Sequence, residues 1–373
     1  MIKSFKVAGL WGHKDYDLSE SLIEQDSNNL TIITGSNGTG KTTVLKLMWY
    51  MLSGHIRQAF AEIDFKEAEL VSSTGTVKLT KRPSRRGDHR PRTRDPLALQ
   101  TIVVDVDIKG ADGRNVFTLF AIPFNELYYF LNEEAPASSI RSLFFPTFRR
   151  LEGGFSFGEK NESLKIIEGF REFSNRMTHG NHRMIAFAEF DDVRLLVNEV
   201  SSDIATRLRS YEDSFTTFLT SISNGNGRVN IDTREINKRL TELESKRVEF
   251  RRPLTLLSSK IDEFFFEKSV RVTEEFKLGT HSNAVPIENL SAGEKNFLSF
   301  LVYAIGTPNG IMFIDEPELT LHMDWQRVLF PILLEIAPNT QFIVATHAAT
   351  IYSNYPDRDI WLDDQIQQTN VTV

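Results

Sequence analysis

Residues 30–54 read LTIITGSNGTGKTTVLKLMWYMLSG, and this stretch decides the fold. Leu30–Thr34 is an apolar run short enough for a buried strand. Gly35, Gly40, Lys41 and Thr42 fit the spacing G-x-x-x-x-G-K-[ST], and a helical pattern follows and stops at Gly54. Strand, glycine turn and helix are the context in which that spacing works. The glycines let backbone N–H groups turn inward around phosphate oxygens, and the helix N-terminus adds its positive dipole end. Residues Gly35, Ser36, Asn37, Gly38, Thr39, Gly40, Lys41, Thr42 and Thr43 are therefore the candidate nucleotide cradle. Lys41 is expected at the β- and γ-phosphates, and the Thr42 hydroxyl at Mg²⁺.

The second half of the site is expected near the C-terminus. Ile311–Ile314 is an apolar run ending in Asp315-Glu316. A carboxylate at the C-terminal end of a parallel strand lies at the sheet crevice beside a phosphate loop. Asp315 is the candidate metal ligand, and Glu316 the group that orients or deprotonates the attacking water. A second apolar strand, Phe342–Ala345, ends in Thr346-His347, which puts His347 within reach of a γ-phosphate. Upstream, Asn289–Lys295 reads NLSAGEK before an apolar helix pattern. Ser291 and Gly293 open that helix either as a second anion-binding end or as a simple capped start. Ser291 with Glu294 has capping-box spacing.

Composition sets limits. The chain has 373 residues and no cysteine, which excludes disulfide scaffolds, iron–sulfur clusters, Cys-zinc sites and thiol nucleophiles. No apolar run approaches a membrane span, and MIKSFKVAGLWGHKD has no secretory h-region. The expected setting is the cytoplasm. With 43 basic and 50 acidic residues, the net charge of −7 argues against a wholly cationic nucleic-acid coat. Residues 67–125 alternate in short runs, with Asp112-Gly113 marking a hairpin. Residues 157–280 lose the alternation and become charged and helix-like. There, Ile236, Leu243, Phe250, Leu257 and Phe264 recur every seven residues, with Leu240, Leu254 and Ile261 as a companion line broken at Arg247. This seam belongs either to a helix packed on the body or to a short protruding coiled-coil arm. Pro253 predicts a kink or two consecutive helices. The expected division is 1–155, an N-terminal half with the glycine loop and a β lobe; 156–284, a helical insertion; and 285–373, a C-terminal half.

Together these motifs resemble the ABC-type ATPase heads of the SMC, Rad50, RecF and OLD group. LSAGEK is similar to the ABC signature, IMFIDEP to the Walker B strand and THAATI to the switch-histidine segment. Glu318–His322 and Asp324-Trp325-Gln326 resemble the PELxLHPxWQ stretch of the bacterial AAA15/AAA21 ATPases. The resemblance covers residues 1–60, roughly 140–155 and 288–363. It implies an α/β fold, a P-loop NTPase head of ABC type with a mixed sheet, an antiparallel β lobe and a helical or short coiled-coil insertion. It implies ATP and Mg²⁺, and a homodimer or higher oligomer in which Ser291 and Gly293 of one subunit meet the γ-phosphate held by Gly35–Thr42 of another. Phe145–Gly154 (FPTFRRLEGG) looks like a segment of anti-phage defence ATPases such as the PARIS subunit. Arg149 or Arg150 is then a candidate for the phosphates or the partner head, against the alternative of a surface basic pair. No Q-loop glutamine is evident, Met323 stands where many relatives have proline, and Ala348-Ala349 replaces Ser-Pro.

The leading functional expectation is an ATPase that acts as sensor or scaffold of a defence system and controls a separate effector, a TOPRIM-type nuclease or a toxin. The expectation arises because the segment after His347 is too short for a TOPRIM domain. The alternative is a RecF- or SMC-like ATP-gated DNA-binding protein, although the interval from Thr42 to Leu290 is too short for long SMC arms. Residues Lys81–Arg94 carry seven Lys or Arg and one acid, with prolines and a glycine. This loop contacts nucleic-acid phosphates, binds an acidic trigger or is a solvated hairpin tip. Asp105 and Asp107 share a strand face and read as polar surface. His179 and His182 read as a loop, and Phe264-Phe265-Phe266 as core or a docking surface.

Overall fold

The computed structural model describes residues 1–19, 22, 29–85, 102–127, 136–147, 150–151, 172–185, 187–188, 190–223, 233–264, 270–272, 278–280 and 290–365. The strands are β1 (Ile2–Leu10), β2 (Lys14–Asp17), β3 (Leu30–Thr34), β4 (Glu67–Ser72), β5 (Gly75–Pro83), β6 (Ile102–Gly110), β7 (Asn115–Pro123), β8 (Ser142–Phe145), β9 (Arg150–Leu151), β10 (His182–Met184), β11 (Phe187–Ala188), β12 (Val270–Val272), β13 (Leu278–Thr280), β14 (Ile311–Asp315), β15 (Gln341–Ala345) and β16 (Asp359–Trp361). The helices are α1 (Lys41–Ser53), α2 (Ile56–Glu62), α3 (Phe190–Ser223), α4 (Thr233–Phe264), α5 (Ala292–Ile305), α6 (Met323–Ile336) and α7 (Ala349–Tyr352).

Both senses of strand are present, sorted into two six-stranded sheets. The parallel sheet has the order β10-β8-β14-β15-β3-β16. The antiparallel sheet has the order β2-β1-β4-β5-β6-β7. The short pairs β9/β11 and β12/β13 stand outside them. This is the P-loop ATPase head architecture of ABC type that the motifs imply.

The parallel strands are apolar throughout because both of their faces are covered. Alternate side chains feed two cores. Ile33, Phe144, Ile311, Phe313, Ile343 and Ala345 join α1 and the antiparallel sheet. Leu30, Ile32, Leu143, Phe145, Met312, Ile314, Phe342 and Val344 join α5, α6 and the base of α4. The shared register aligns the strand ends. Asp315 pairs with Ala345, Ala345 with Ile33, and Ile314 with Phe145. The loops leaving β8, β14, β15 and β3 consequently open at one edge of the sheet, where ligands of parallel sheets bind.

Helices α3 and α4 form an antiparallel pair. Arg247 of α4 meets Glu212 of α3 at 2.7 Å, the Tyr211 and Phe250 rings are 5.7 Å apart, and the Arg239 guanidinium lies 4.0 Å from the Phe218 ring centre. At 34 residues, α3 is about 50 Å long. The two readings of the seam divide along α4. Leu254, Leu257 and Ile261 are buried in the second core, whereas Leu240 is 40% and Val248 71% exposed. The base packs on the body and the distal half pairs with α3.

Of the two outcomes expected at Pro253, the division into consecutive helices does not occur, because Pro253 lies inside one continuous helix. The carbonyl it leaves without an N–H belongs to exposed Glu249, where water can serve it. The region 157–280 is not only helical, because β10 pairs in parallel with β8 at the edge of the main sheet. His182 is on that strand rather than in a loop, and is fully buried. The remaining weak features are plain. Asp105 pairs with Arg82 at 3.0 Å, and Asp107 with Lys109 at 3.2 Å. Phe264 packs on Phe297 and Trp325, while Phe265 and Phe266 lie outside the described residues. So does the basic loop beyond Arg85. Among the described residues no helix is long and apolar enough to cross a membrane.

Candidate functional site

The glycine loop begins where β3 ends. Gly35, Gly38 and Gly40 have φ of 140°, 80° and 103°, values that side chains rarely adopt. A Cβ at Gly35 would also lie 3.0 Å from Asp363 Oδ2 and 3.1 Å from Thr39 Oγ1. Asp363 accepts a hydrogen bond from the Ser36 N–H at 2.7 Å. Lys14 Nζ donates to the Gly38 carbonyl at 2.8 Å, and the Tyr16 hydroxyl to the Thr39 carbonyl at 2.5 Å. Thr39 Oγ1 donates to Ser36 O at 2.9 Å. Half-exposed Trp11 flanks the loop, since a Cβ at Gly40 would meet its ring at 3.1 Å.

Lys41 opens α1 and is buried. Its Nζ donates to Gly35 O at 2.9 Å and Ser36 O at 3.1 Å, so the ammonium lies inside the loop. Burial lowers its pKa, against the pull of Glu316, Asp363, Asp315 and Glu318. Thr42 is exposed, with its Oγ1 donating to Asp315 Oδ1 at 3.0 Å. Thr147, just past β8, donates from its hydroxyl to Asp315 Oδ2. Asp315 is itself fully buried at the end of β14, with a hydroxyl bonded to each oxygen.

Glu316 has a φ of 48°, sparse territory for a residue with a side chain. Its N–H donates to Ala345 O at 2.8 Å, which ties the turn after β14 to the end of β15. Its Oε1 lies 3.2 Å from His347 Nε2. Burial first, then the Glu318 and Asp315 carboxylates, push the Glu316 carboxyl up to about 8, with Lys41 opposing. Burial and then Lys41 lower the pKa of His347.

The structure thus brings together Gly35–Thr42, Asp315, Glu316 and His347, with half-buried Thr43 on the first turn of α1. Ser291 and Gly293 are joined to this group by no hydrogen bond among the described residues. Ser291 is exposed and caps α5, accepting from the Glu294 N–H at 3.3 Å while its own N–H donates to Glu294 Oε2 at 2.7 Å. Arg149 lies outside the described residues, and only the backbone of Arg150 is described. Asp363, Trp11, Lys14 and Tyr16 were not legible in the sequence as site residues, and Thr147 and Glu318 were legible only as members of resembling segments. Thr147 lies in the marked segment Phe145–Gly154, and its hydroxyl meets Asp315.

The donor set suits Mg²⁺. Oxygen ligands from a hydroxyl and a carboxylate, with the remaining positions left to phosphate and water, match the habit of that ion. No group of three or more His, Asp or Glu among the described residues forms a metal cage of its own.

The chain is similar to known proteins over parts of its length. Residues 141–351 match the AAA_21 family, described as "AAA domain, putative AbiEii toxin, Type IV TA system". The phosphate loop precedes that range. The chain is 33% identical over 92 residues to "Retron Ec83 probable ATPase" of Escherichia coli, covering 21% of this chain and 17% of that protein. It is 28% identical over 99 residues to "Retron Vc95 probable ATPase" of Vibrio cholerae serotype O1 biovar El Tor, covering 23% and 19%. The matched segments therefore span less than a fifth of these relatives' own length. Among solved structures, the SMC head bound to the C-winged helix domain of ScpA aligns over 95% of this chain and 92% of its own, at 17% identity and a TM-score of 0.39. The SMC head of Thermotoga maritima aligns over 95% and 91%, at 13% identity and a TM-score of 0.35. The family match takes in more than half of the residues, and the chain belongs to the AAA_21 family.

Proposed function

We propose that the chain binds ATP with Mg²⁺ and hydrolyses it. The observation that carries this reading is the pairing of Thr42 with Asp315 at 3.0 Å beside the pairing of Glu316 with His347 at 3.2 Å, at one sheet edge. The N–H groups of Gly35–Thr42 and the Lys41 ammonium hold the triphosphate. Thr42 and Asp315 hold Mg²⁺, which when bound offsets charge on the β- and γ-oxygens. Glu316 orients the attacking water and accepts its proton, a task suited to a carboxyl whose affinity for protons is raised by burial. His347 donates toward the γ-phosphate. The family and the retron ATPases among the relatives support this activity.

The wider role we propose is that of sensor or scaffold in an anti-phage defence system, controlling a separate effector such as a nuclease or toxin. The FPTFRR likeness and the retron ATPases support it. ATP would join two heads, with exposed Ser291 and half-buried Gly293 of one completing the loop of the other. The division into two half-heads around the α3/α4 insertion belongs to the same reading. Fluorescent-nucleotide binding by wild type and Lys41→Ala tests the site. Loss of binding in the variant is expected, and wild-type affinity would overturn it. Native mass spectrometry with the co-encoded neighbour and ATP tests the wider role, which fails if no complex forms.

A further inference from the structure

One oxygen of Glu318 gathers three donors. Its Oε1 accepts from Thr346 Oγ1 at 2.6 Å, from the His347 N–H at 2.8 Å and from the Ala348 N–H at 3.1 Å. Glu318 lies on the 3-10 turn Pro317–Thr320 directly after β14, whereas its donors lie directly after β15. The carboxylate therefore bridges two loops that leave neighbouring strands. Gln326 of α6 extends the bridge. Its Nε2 donates to Leu321 O at 2.9 Å, and its Oε1 accepts from the Thr350 hydroxyl of α7 at 2.5 Å.

The consequence falls on His347. The N–H groups of His347 and Ala348 have no strand or helix acceptor, so Glu318 serves two consecutive backbone donors, the second shared with Thr346 Oγ1 at 3.0 Å. Fixing the His347 and Ala348 amides fixes where the imidazole leaves the chain. The place it reaches is Glu316 Oε1, at 3.2 Å. The first two of these bonds, at 2.6 and 2.8 Å, are at the short end of the normal range.

We infer that Glu318 is a positioning residue that holds His347 against Glu316, and that it governs hydrolysis rather than nucleotide binding. The inference rests on the ATPase reading above. Glu318 hydrogen-bonds to none of the loop residues Gly35–Thr43 among the described contacts, and its charge is the smallest of the four carboxylate influences on Lys41, so nucleotide affinity should depend on it only weakly.

The test is a double-mutant cycle in the full chain, with kcat and ATP affinity measured separately. Glu318→Ala should lower kcat by about 10- to 100-fold, the size expected when a reacting group is displaced by an ångström. Its ATP affinity should stay within about threefold of wild type. Glu318→Gln keeps a carbonyl acceptor and should recover most of the turnover. His347→Ala should lower kcat strongly in the wild type but by less than about threefold on top of Glu318→Ala, because groups acting as a unit are not additive. Hydrogen exchange in a peptide spanning 342–352 should be faster in Glu318→Ala and wild-type-like in Glu318→Gln. If Glu318→Ala does not fold, Glu318→Asp, one methylene short, enters the same cycle. Equal His347→Ala factors in both backgrounds would overturn the inference, as would an affinity loss matching the kcat loss. A wild-type chain without turnover would instead sink the ATPase reading.

Discussion

Acid should unfold this protein through two histidines that the site does not use. His55 and His182 are fully buried, and burial lowers both pKa values to about 4 from 6.5. The hydrogen bonds fix the His182 tautomer. Its Nε2 faces the Ser138 carbonyl at 2.9 Å and must carry the proton, so Nδ1 accepts from the Ser142 hydroxyl at 2.7 Å. The Ser142 oxygen in turn accepts from the Trp49 indole at 3.1 Å. A second proton on His182 would set two donors against each other. The sign follows from linkage. The unfolded chain takes up protons that the fold refuses, so stability is full above about pH 6.5 and is lost as pH falls toward 4. Each ring contributes at most about 2 kcal/mol of loss at pH 5, and about 3 kcal/mol below pH 4. Against a typical total of about 5–15 kcal/mol, the pair is decisive. Urea unfolding at pH 8, 7, 6 and 5 measures it, with His182→Gln as control. Between pH 6 and 5 the wild-type stability should fall by about 1.2 kcal/mol more than that of the variant. Parallel curves for the two proteins, or an NMR titration of His182 near 6.5, would refute the reasoning.

Further outcomes follow from the site and the core. Thr147→Val removes a hydroxyl from Asp315 and should raise the Mg²⁺ needed for half-maximal turnover by about tenfold, with Thr147→Ser close to wild type; a magnesium titration checks this. Gly35→Ala places a Cβ against Asp363 and Thr39 at a φ of 140° and should abolish measurable ATP binding in a fluorescence titration while the thermal melt changes little. Phe313→Ala, in the middle of the parallel sheet, should cost about 3–5 kcal/mol by denaturant unfolding.

What the sequence made legible was contiguous or periodic. The glycine loop shows itself because one turn of chain must carry all its glycines, and Asp315, Glu316 and His347 because each ends an apolar run. The remaining site residues are set by register. Asp363 reaches Ser36 only because β16 pairs with β3, and Thr147 reaches Asp315 only because β8 pairs with β14. No local pattern encodes either pairing. Glu318 was visible as part of a resemblance, but its role needs β14 and β15 side by side. β10 is three residues long, too short for alternation to register, and its place at the edge of the parallel sheet was hidden in a charged segment.

In the proposed reaction Glu316, set beside Asp315 and His347 at the strand ends, performs the hydrolytic step on ATP held by the glycine loop. Single-turnover hydrolysis by Glu316→Gln, with ATP affinity measured on the same sample, decides whether it does. Binding should be retained and the rate lowered by about 100-fold or more, with unhydrolysed ATP recovered from the protein. Wild-type hydrolysis by this variant would contradict it.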